Sequence, residues 1–470
     1  MVPEFDIPGH ATSWVVSSPQ LASAPGPYVI ERKWGVFDPV LDPTNPNVYG
    51  LLDGFLGEMA ALFPDAYIHI GGDENNGVQW SANAGIQAFI RGHNLKDNAG
   101  LHAYFNGRVH AILTRHGKQL IGWDEILHPD LPAGSVIHSW RGPQGITAAI
   151  TRGFPTILSN GYYIDLCHPA SVHYLNDPVP ANSALTVAQQ KLILGGEATM
   201  WSEWVTPETI DSRIWPRTAA IAERLWSPRE IRDLPDMYRR LAIVGELLVE
   251  AGLQHESYID PMLRQLAGDQ AIPADLAALR TVVDLLEPVK DYRRGGQQSN
   301  VTQSTPLDGL VDCARPDSAA ARIFSGQVEA AVLAKSVSFE SVAVIARQLS
   351  DWKSASVTLT SGLARQSPRL QAAQPLYAAL TVACSVGEAA LPLLVSRQTA
   401  PAGWLQRQCT ALDAIAQPYD AAELSVIPAL KRLVAAASEQ ARHADFSDEA
   451  WQQHLNILVA PPAKPTTVAP

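Results

Sequence analysis

Two carboxylates stand side by side at the end of an apolar run, His69-Ile70-Gly71-Gly72-Asp73-Glu74. Successive side chains of a regular strand point to opposite faces, so Asp73 and Glu74 serve one site only if the strand ends there. Gly71 and Gly72 permit that ending, because a residue without Cβ lets the backbone turn tightly. Adjacent acids held this way suit proton transfer, one group delivering the proton while its neighbour supplies charge. Polar and aromatic groups also follow other apolar runs. They are Glu4-Phe5-Asp6-Ile7-Pro8-Gly9-His10, Gly122-Trp123-Asp124-Glu125, Ser139-Trp140, Tyr162-Tyr163-Ile164-Asp165 and Trp201-Ser202-Glu203. Each is a weak signal alone, since a tryptophan after a strand commonly packs and a lone histidine is commonly a satisfied core group. Gathered at one mouth, Trp123, Trp140 and Trp201 beside acids form an aromatic-walled acidic pocket. Such a pocket suits a neutral sugar with an apolar substituent: rings stack on C–H groups and carboxylates take hydroxyls.

The elements that must hold these groups alternate along residues 1 to 265. Short apolar or β-branched runs at 2–5, 66–70, 119–122, 135–138, 156–159 and 192–195 read as six strands. Between them, residues 47–63 and 101–116 repeat apolar positions every three or four residues, as amphipathic helices do. Strand then helix, repeated, predicts an α/β fold of the (β/α)8 TIM type. With six strands where such a barrel has eight, and the first of them reading as a third strand, the barrel is expected to be incomplete at its N-terminal end.

From residue 266 the composition turns to Ala and Leu, strand signals stop, and an all-α C-terminal domain is expected to residue 459. Its helices are expected at 273–288, 318–334, 339–365, 371–397 and 421–442, with a long loop at 291–306 and a disordered Pro-rich tail at 460–470. A net charge of −12 disfavours nucleic acid and anionic membrane as partners. Four scattered cysteines, with no CxxC spacing, offer neither a disulfide framework nor a thiolate metal site. No His-Glu-x-x-His, P-loop or dinucleotide glycine pattern occurs, so no metal and no cofactor is expected. No apolar run is expected to reach the roughly 18 residues that span a bilayer, and no basic-then-apolar leader opens the sequence.

The segments 4–10, 69–74, 122–125 and 201–203, in this order, resemble successive signatures of the glycoside hydrolase family 20 β-N-acetylhexosaminidases. The resemblance covers about residues 1–230 and begins at what the family has as its third barrel strand. It implies a retaining exo-enzyme that releases terminal β-linked N-acetylglucosamine or N-acetylgalactosamine from an oligosaccharide or glycoconjugate. The substrate's own acetamido group would be the nucleophile, through an oxazolinium intermediate. By the same resemblance Glu74 is the general acid/base, Asp73 orients the acetamido group, and Asp6 and His10 support the acid/base. Tyr163 would donate to the acetamido oxygen, Trp123, Trp140 and Trp201 would enclose its methyl, and Asp165 and Glu203 would bind sugar hydroxyls. Family members are periplasmic or secreted and carry an arginine after their first barrel strand, for which this sequence has no counterpart. The other reading of the motifs is an inactive sugar-binding remnant.

Overall fold

The computed structural model describes residues 1–179, 183–362 and 367–459. Five strands form a wholly parallel sheet in sequence order: β1 (Tyr67–His69), β2 (Gln119–Trp123), β3 (Val136–Ser139), β4 (Thr156–Leu158) and β5 (Ile193–Gly196). A sixth extended segment precedes β1. Glu4 bridges to His69 in parallel, with Phe5 N–H donating to His69 O, His69 N–H to Pro3 O and Ile7 N–H to Ile70 O, each at 2.9 Å. All six predicted strands therefore join one sheet, and among the described residues the N-terminal segment and β5 are its edges. This is part of a TIM barrel followed by a helical region.

Helices return the chain between strands, and their ends are chemically marked. Asn45 caps Pro46–Leu62, accepting from Asn47 N–H at 3.0 Å with Pro46 at the first helical position. Asp97 caps Asn98–Arg115, accepting from Gly100 N–H at 3.0 Å. Those two helices bury Leu52, Leu56, Phe105, Val109 and Leu113 against Ile68, Ile70 and Leu120 of the sheet. The packing holds β1 and β2 so that their C-terminal ends, carrying Asp73, Glu74 and Trp123, open on one side.

The largest hydrophobic cluster is drawn from residues between Tyr258 and Leu455. Its centre is formed by the helices Phe339–Ser361, Gln374–Ser396 and Ile427–Glu439. At Gly387 a Cβ would stand 2.8 Å from Leu349 Cδ1 and 2.9 Å from Leu430 Cδ2, so the missing side chain allows the three to meet.

Five expectations need correction here. The helix at 371–397 is two helices, Pro368–Ala372 and Gln374–Ser396. The second, 23 residues long, is apolar enough to cross a membrane, contrary to expectation; neutral Ser and Thr do not lower its hydropathy as charges would. Here its Leu376, Leu380, Ala383, Leu391 and Leu394 are core. The helices at 273–288 and 421–442 give up one end each to a two-stranded antiparallel ribbon, β6 (Leu286–Pro288) with β7 (Ala422–Leu424). The loop at 291–306 contains the helix Arg293–Gln297. The expected tail at 460–470 lies outside the described residues.

Buried polar contacts seam the sheet region to the helical region. Arg213 donates to Ala314 O at 2.8 Å and to Asp312 O at 3.0 Å, and Asp317 Oδ2 accepts from Ala170 N–H and Tyr238 hydroxyl at 2.9 Å each. Charged donors to buried carbonyls are each worth roughly 1.5 to 3 kcal/mol, because losing the donor strands an acceptor away from water. Arg213→Met is therefore expected to lower stability by about 2 kcal/mol or more. An unchanged chemical-denaturation midpoint would show that the seam holds without it.

Candidate active site

Asp6, His10, Asp73 and Glu74 meet at the strand ends. Gly71 and Gly72 adopt φ of 66° and 90°, and Glu74 itself has φ 49°. A Cβ on Gly71 would fall 1.9 Å from Asp6 Oδ1, so glycine is required there both by backbone and by space. Gly72 N–H donates to Asp6 Oδ1 at 3.3 Å, tying the N-terminal segment to the turn after β1. His10 Nε2 lies 3.5 Å from Asp73 Oδ2 and 3.3 Å from Glu74 Oε2, bridging the two acids. Those two carboxylates raise the His10 pKa to about 10, so the imidazole is charged at neutral pH. Burial, reinforced by Asp73, pushes the Asp6 carboxyl far up, to about 9, so it stays protonated. Asp73 spends Oδ2 on His10, while its Oδ1 is buried without a hydrogen-bond partner among the described residues.

The aromatic groups stand beside this cluster. Ring centroids of Trp123 and Trp201 are 6.1 Å apart, those of Trp201 and Tyr163 6.4 Å, and those of Tyr163 and Trp140 6.4 Å with planes 25° apart. Polar bonds fix the rings. Trp123 Nε1 donates to Glu4 Oε1 at 3.0 Å, and Trp140 Nε1 donates to Glu125 Oε2 at 3.1 Å. Asp124 Oδ2 accepts the backbone N–H groups of Trp140 and Arg141 at 2.8 Å each. Tyr163 pairs with Thr199 in a parallel bridge beyond β4 and β5. Burial raises its phenol pKa, with Asp165 and Asp73 adding to the rise. Burial and Glu203 push Asp165 up to about 7.

All ten residues expected from the sequence converge on this mouth. Residues outside that set serve it as well: Glu4, Asp124 and Glu125 aim the rings, and His69 and His138 support Trp123 from below, His138 stacked on it at 4.1 Å. Burial pushes His69 down to about 3 and His138 to about 4, so both are neutral. His69 Nδ1 accepts from Gly71 N–H at 3.0 Å, which places its proton on Nε2. The indole N–H was the available signal for Glu4 and Glu125, since a buried tryptophan needs an acceptor. Asp6, His10 and Asp73 each present one donor atom within 4.8 Å of the others, close enough for a cation. The proton His10 holds at neutral pH competes with any metal for that space.

Paired acids and a series of aromatic rings at the C-terminal ends of parallel βα strands mark the active-site mouth of a TIM-type barrel. Residues 1–229 match the catalytic-domain model of glycosyl hydrolase family 20. It is 34% identical over 329 residues to the β-hexosaminidase of Porphyromonas gingivalis, a match covering 65% of this chain and 41% of the relative. It is 33% identical over 262 residues to the human β-hexosaminidase subunit beta, covering 54% of this chain and 46% of the relative. The chitobiase of Flavobacterium johnsoniae superimposes with a TM-score of 0.84 at 39% identity, over 92% of this chain and 65% of that one. The chain thus spans less than half the length of these two curated relatives, while the chitobiase likeness also takes in most of the helical region.

The raised His10 pKa carries a stability consequence with a definite sign. Below the ordinary imidazole value of 6.5 both folded and unfolded chains hold the proton, and the contribution of His10 is complete. Between 6.5 and about 10 only the folded chain keeps it, and the contribution is lost as pH rises. The advantage in melting temperature of wild type over His10→Gln is expected to be largest near pH 6 and to shrink towards pH 10. A constant difference would mean that the imidazole is uncharged in the fold.

Proposed function

We propose that this chain hydrolyses terminal β-linked N-acetylhexosamine by substrate-assisted catalysis with retention of configuration. The observation that carries the reading is the buried Oδ1 of Asp73, next to Glu74 and without a partner among the described residues. Asp73 stands two residues after Gly71, whose carbonyl accepts from the N–H of Trp123 in the ring series Trp123, Trp201, Tyr163 and Trp140. A buried carboxylate oxygen without a partner is costly unless a ligand donor reaches it. The N–H of a sugar acetamido group is such a donor, and positive charge develops on that nitrogen as its carbonyl oxygen attacks the anomeric carbon.

In the first step the acetamido oxygen bonds to the anomeric carbon while the glycosidic C–O bond breaks. Glu74 gives its proton to the departing oxygen, and Tyr163 steadies the acetamido oxygen. The product alcohol leaves, and an oxazolinium ion remains in the pocket. Asp73 stabilises it in a site whose dipoles are already in place. Water then attacks the anomeric carbon from the face the alcohol left, Glu74 takes the proton of that water, and the acetamido group is regenerated. The nucleophile is part of the substrate, so the tryptophan rings that restrain its methyl also supply proximity. His10 holds both acids in register, and Asp165 and Glu203 take sugar hydroxyls. No step calls for a metal or an organic cofactor.

Glu74→Gln is expected to lower turnover of an unactivated disaccharide by about 10²- to 10⁴-fold, and less for a nitrophenolate leaving group that needs no proton. Asp73→Asn is expected to lose a comparable factor with both kinds of leaving group. Replacing the substrate's acetamido group by hydroxyl should abolish cleavage by the wild-type chain. Efficient cleavage of a plain glucoside would instead require a protein nucleophile and would end this reading.

A further inference from the structure

A segment outside the family match reaches the sugar-binding side of the site. It leaves β6 after Pro288 and is tied to the sheet region at both ends. Asp291 N–H donates to Leu166 O at 3.1 Å, and His168 Nε2 meets Asp291 Oδ1 at 3.0 Å. Further along, Gln303 N–H donates to Arg32 O at 2.9 Å, and Thr302 pairs with Lys33 in an antiparallel bridge. The middle is fixed by packing and charge. A Cβ on Gly295 would stand 1.8 Å from Trp34 Cζ2, so the backbone lies directly on that ring. The Arg294 guanidinium lies 4.4 Å over the Trp204 ring and reaches Asp312 at 2.9 Å, with both charged groups buried.

Tyr292 sits on this strap and faces the sugar site. It lines one small cavity together with Asp165, Trp201, Glu203 and Trp204. Burial raises its phenol pKa, and Asp165, Tyr163, Glu203 and Glu74 add to the rise in that order. Its hydroxyl in turn favours the ionised form of Asp165. Yet Asp165 Oδ1 is buried without a hydrogen-bond partner among the described residues. A phenol donor beside an unfilled carboxylate oxygen, in a cavity shared with Glu203, is a receptor for one hydroxyl group.

We propose that Tyr292 is a specificity-determining residue, whose phenol and Asp165 together engage one hydroxyl of the terminal N-acetylhexosamine. The proposal rests on the reading of the site as a hexosaminidase pocket and adds to it a contact from the helical region. The hydroxyl both accepts from Tyr292 and donates to Asp165, so its removal leaves both groups unfilled. Tyr292 is 46% exposed, and Phe retains its ring, so the substitution leaves the strap's anchors at Trp34, Arg294 and Asp291 in place.

The test compares wild type with Tyr292→Phe on 4-nitrophenyl N-acetyl-β-glucosaminide and on its 4-deoxy and 6-deoxy analogues. On the parent substrate the variant is expected to lose about 3- to 10-fold in kcat/KM, mostly through KM, the range of one neutral hydrogen bond. On one of the two deoxy substrates wild type and variant should become equal, while the loss persists on the other. An equal loss on all three substrates, or none on the parent, overturns the proposal. Binding of N-acetylglucosamine itself, followed by tryptophan fluorescence, asks the same question without turnover. Weaker binding by the variant, about 3- to 10-fold, supports the contact even in a chain that does not hydrolyse, and equal affinity ends it. Wild type that binds the sugar but cleaves none of the substrates overturns the proposed activity and leaves the Tyr292 contact to be judged by affinity.

Discussion

Everything at the mouth of this protein depends on how the backbone leaves β1. Two consecutive residues of a strand point apart, yet Asp73 and Glu74 must address one ligand. The left-handed conformations of Gly71, Gly72 and Glu74 convert strand alternation into a shared direction. The turn is so tight that Asp6 occupies the volume where a side chain on residue 71 would be. His10, also at positive φ, spans both acids. The N-terminal segment is thus a structural part of the turn, and the acids, the histidine and the first edge of the sheet form one unit.

Charge within that unit is arranged with economy. Three acids and a histidine lie together, and Asp6 is held neutral while His10 is held cationic. The surrounding histidines, His69 and His138, are driven the other way by burial and serve as neutral supports for Trp123. Histidines of one site therefore differ in protonation, His10 charged by the carboxylates it spans and His69 and His138 kept neutral by burial.

The sheet and its site were legible in the sequence for a physical reason. Parallel strands buried on both faces read as short apolar runs, and polar or aromatic residues directly after such runs have few places to go but the C-terminal mouth. The ten site residues follow from that rule together with the motif resemblance. Glu4 and Glu125 were less visible because their work is to accept from indoles, a pairing made across the fold. The helical region was legible as helix but not in its breaks. Leu286–Pro288 and Ala422–Leu424 are three-residue strands separated by more than a hundred residues, and no local periodicity announces such a pair. Tyr292 was hidden for the same reason: its segment is polar and glycine-rich, and its position is set by contacts at Leu166, Arg32 and Trp34, all distant in the chain.

The β6–β7 ribbon also imposes an order in time. β6 leads into the strap that carries Tyr292, and its register is set by Ala422, Glu423 and Leu424, with Val289 N–H donating to Ala421 O at 2.8 Å and Gln298 Nε2 to Asp420 at 2.8 Å. A ribosome must therefore deliver the chain past residue 424 before β6, from which the strap departs, has its partner strand. The strands bearing Asp73, Glu74 and the tryptophans emerge long before that point. On a nascent chain the reacting groups are made early and the mouth is finished late, so the newborn protein passes through a stage with its acids present and its sugar site unwalled.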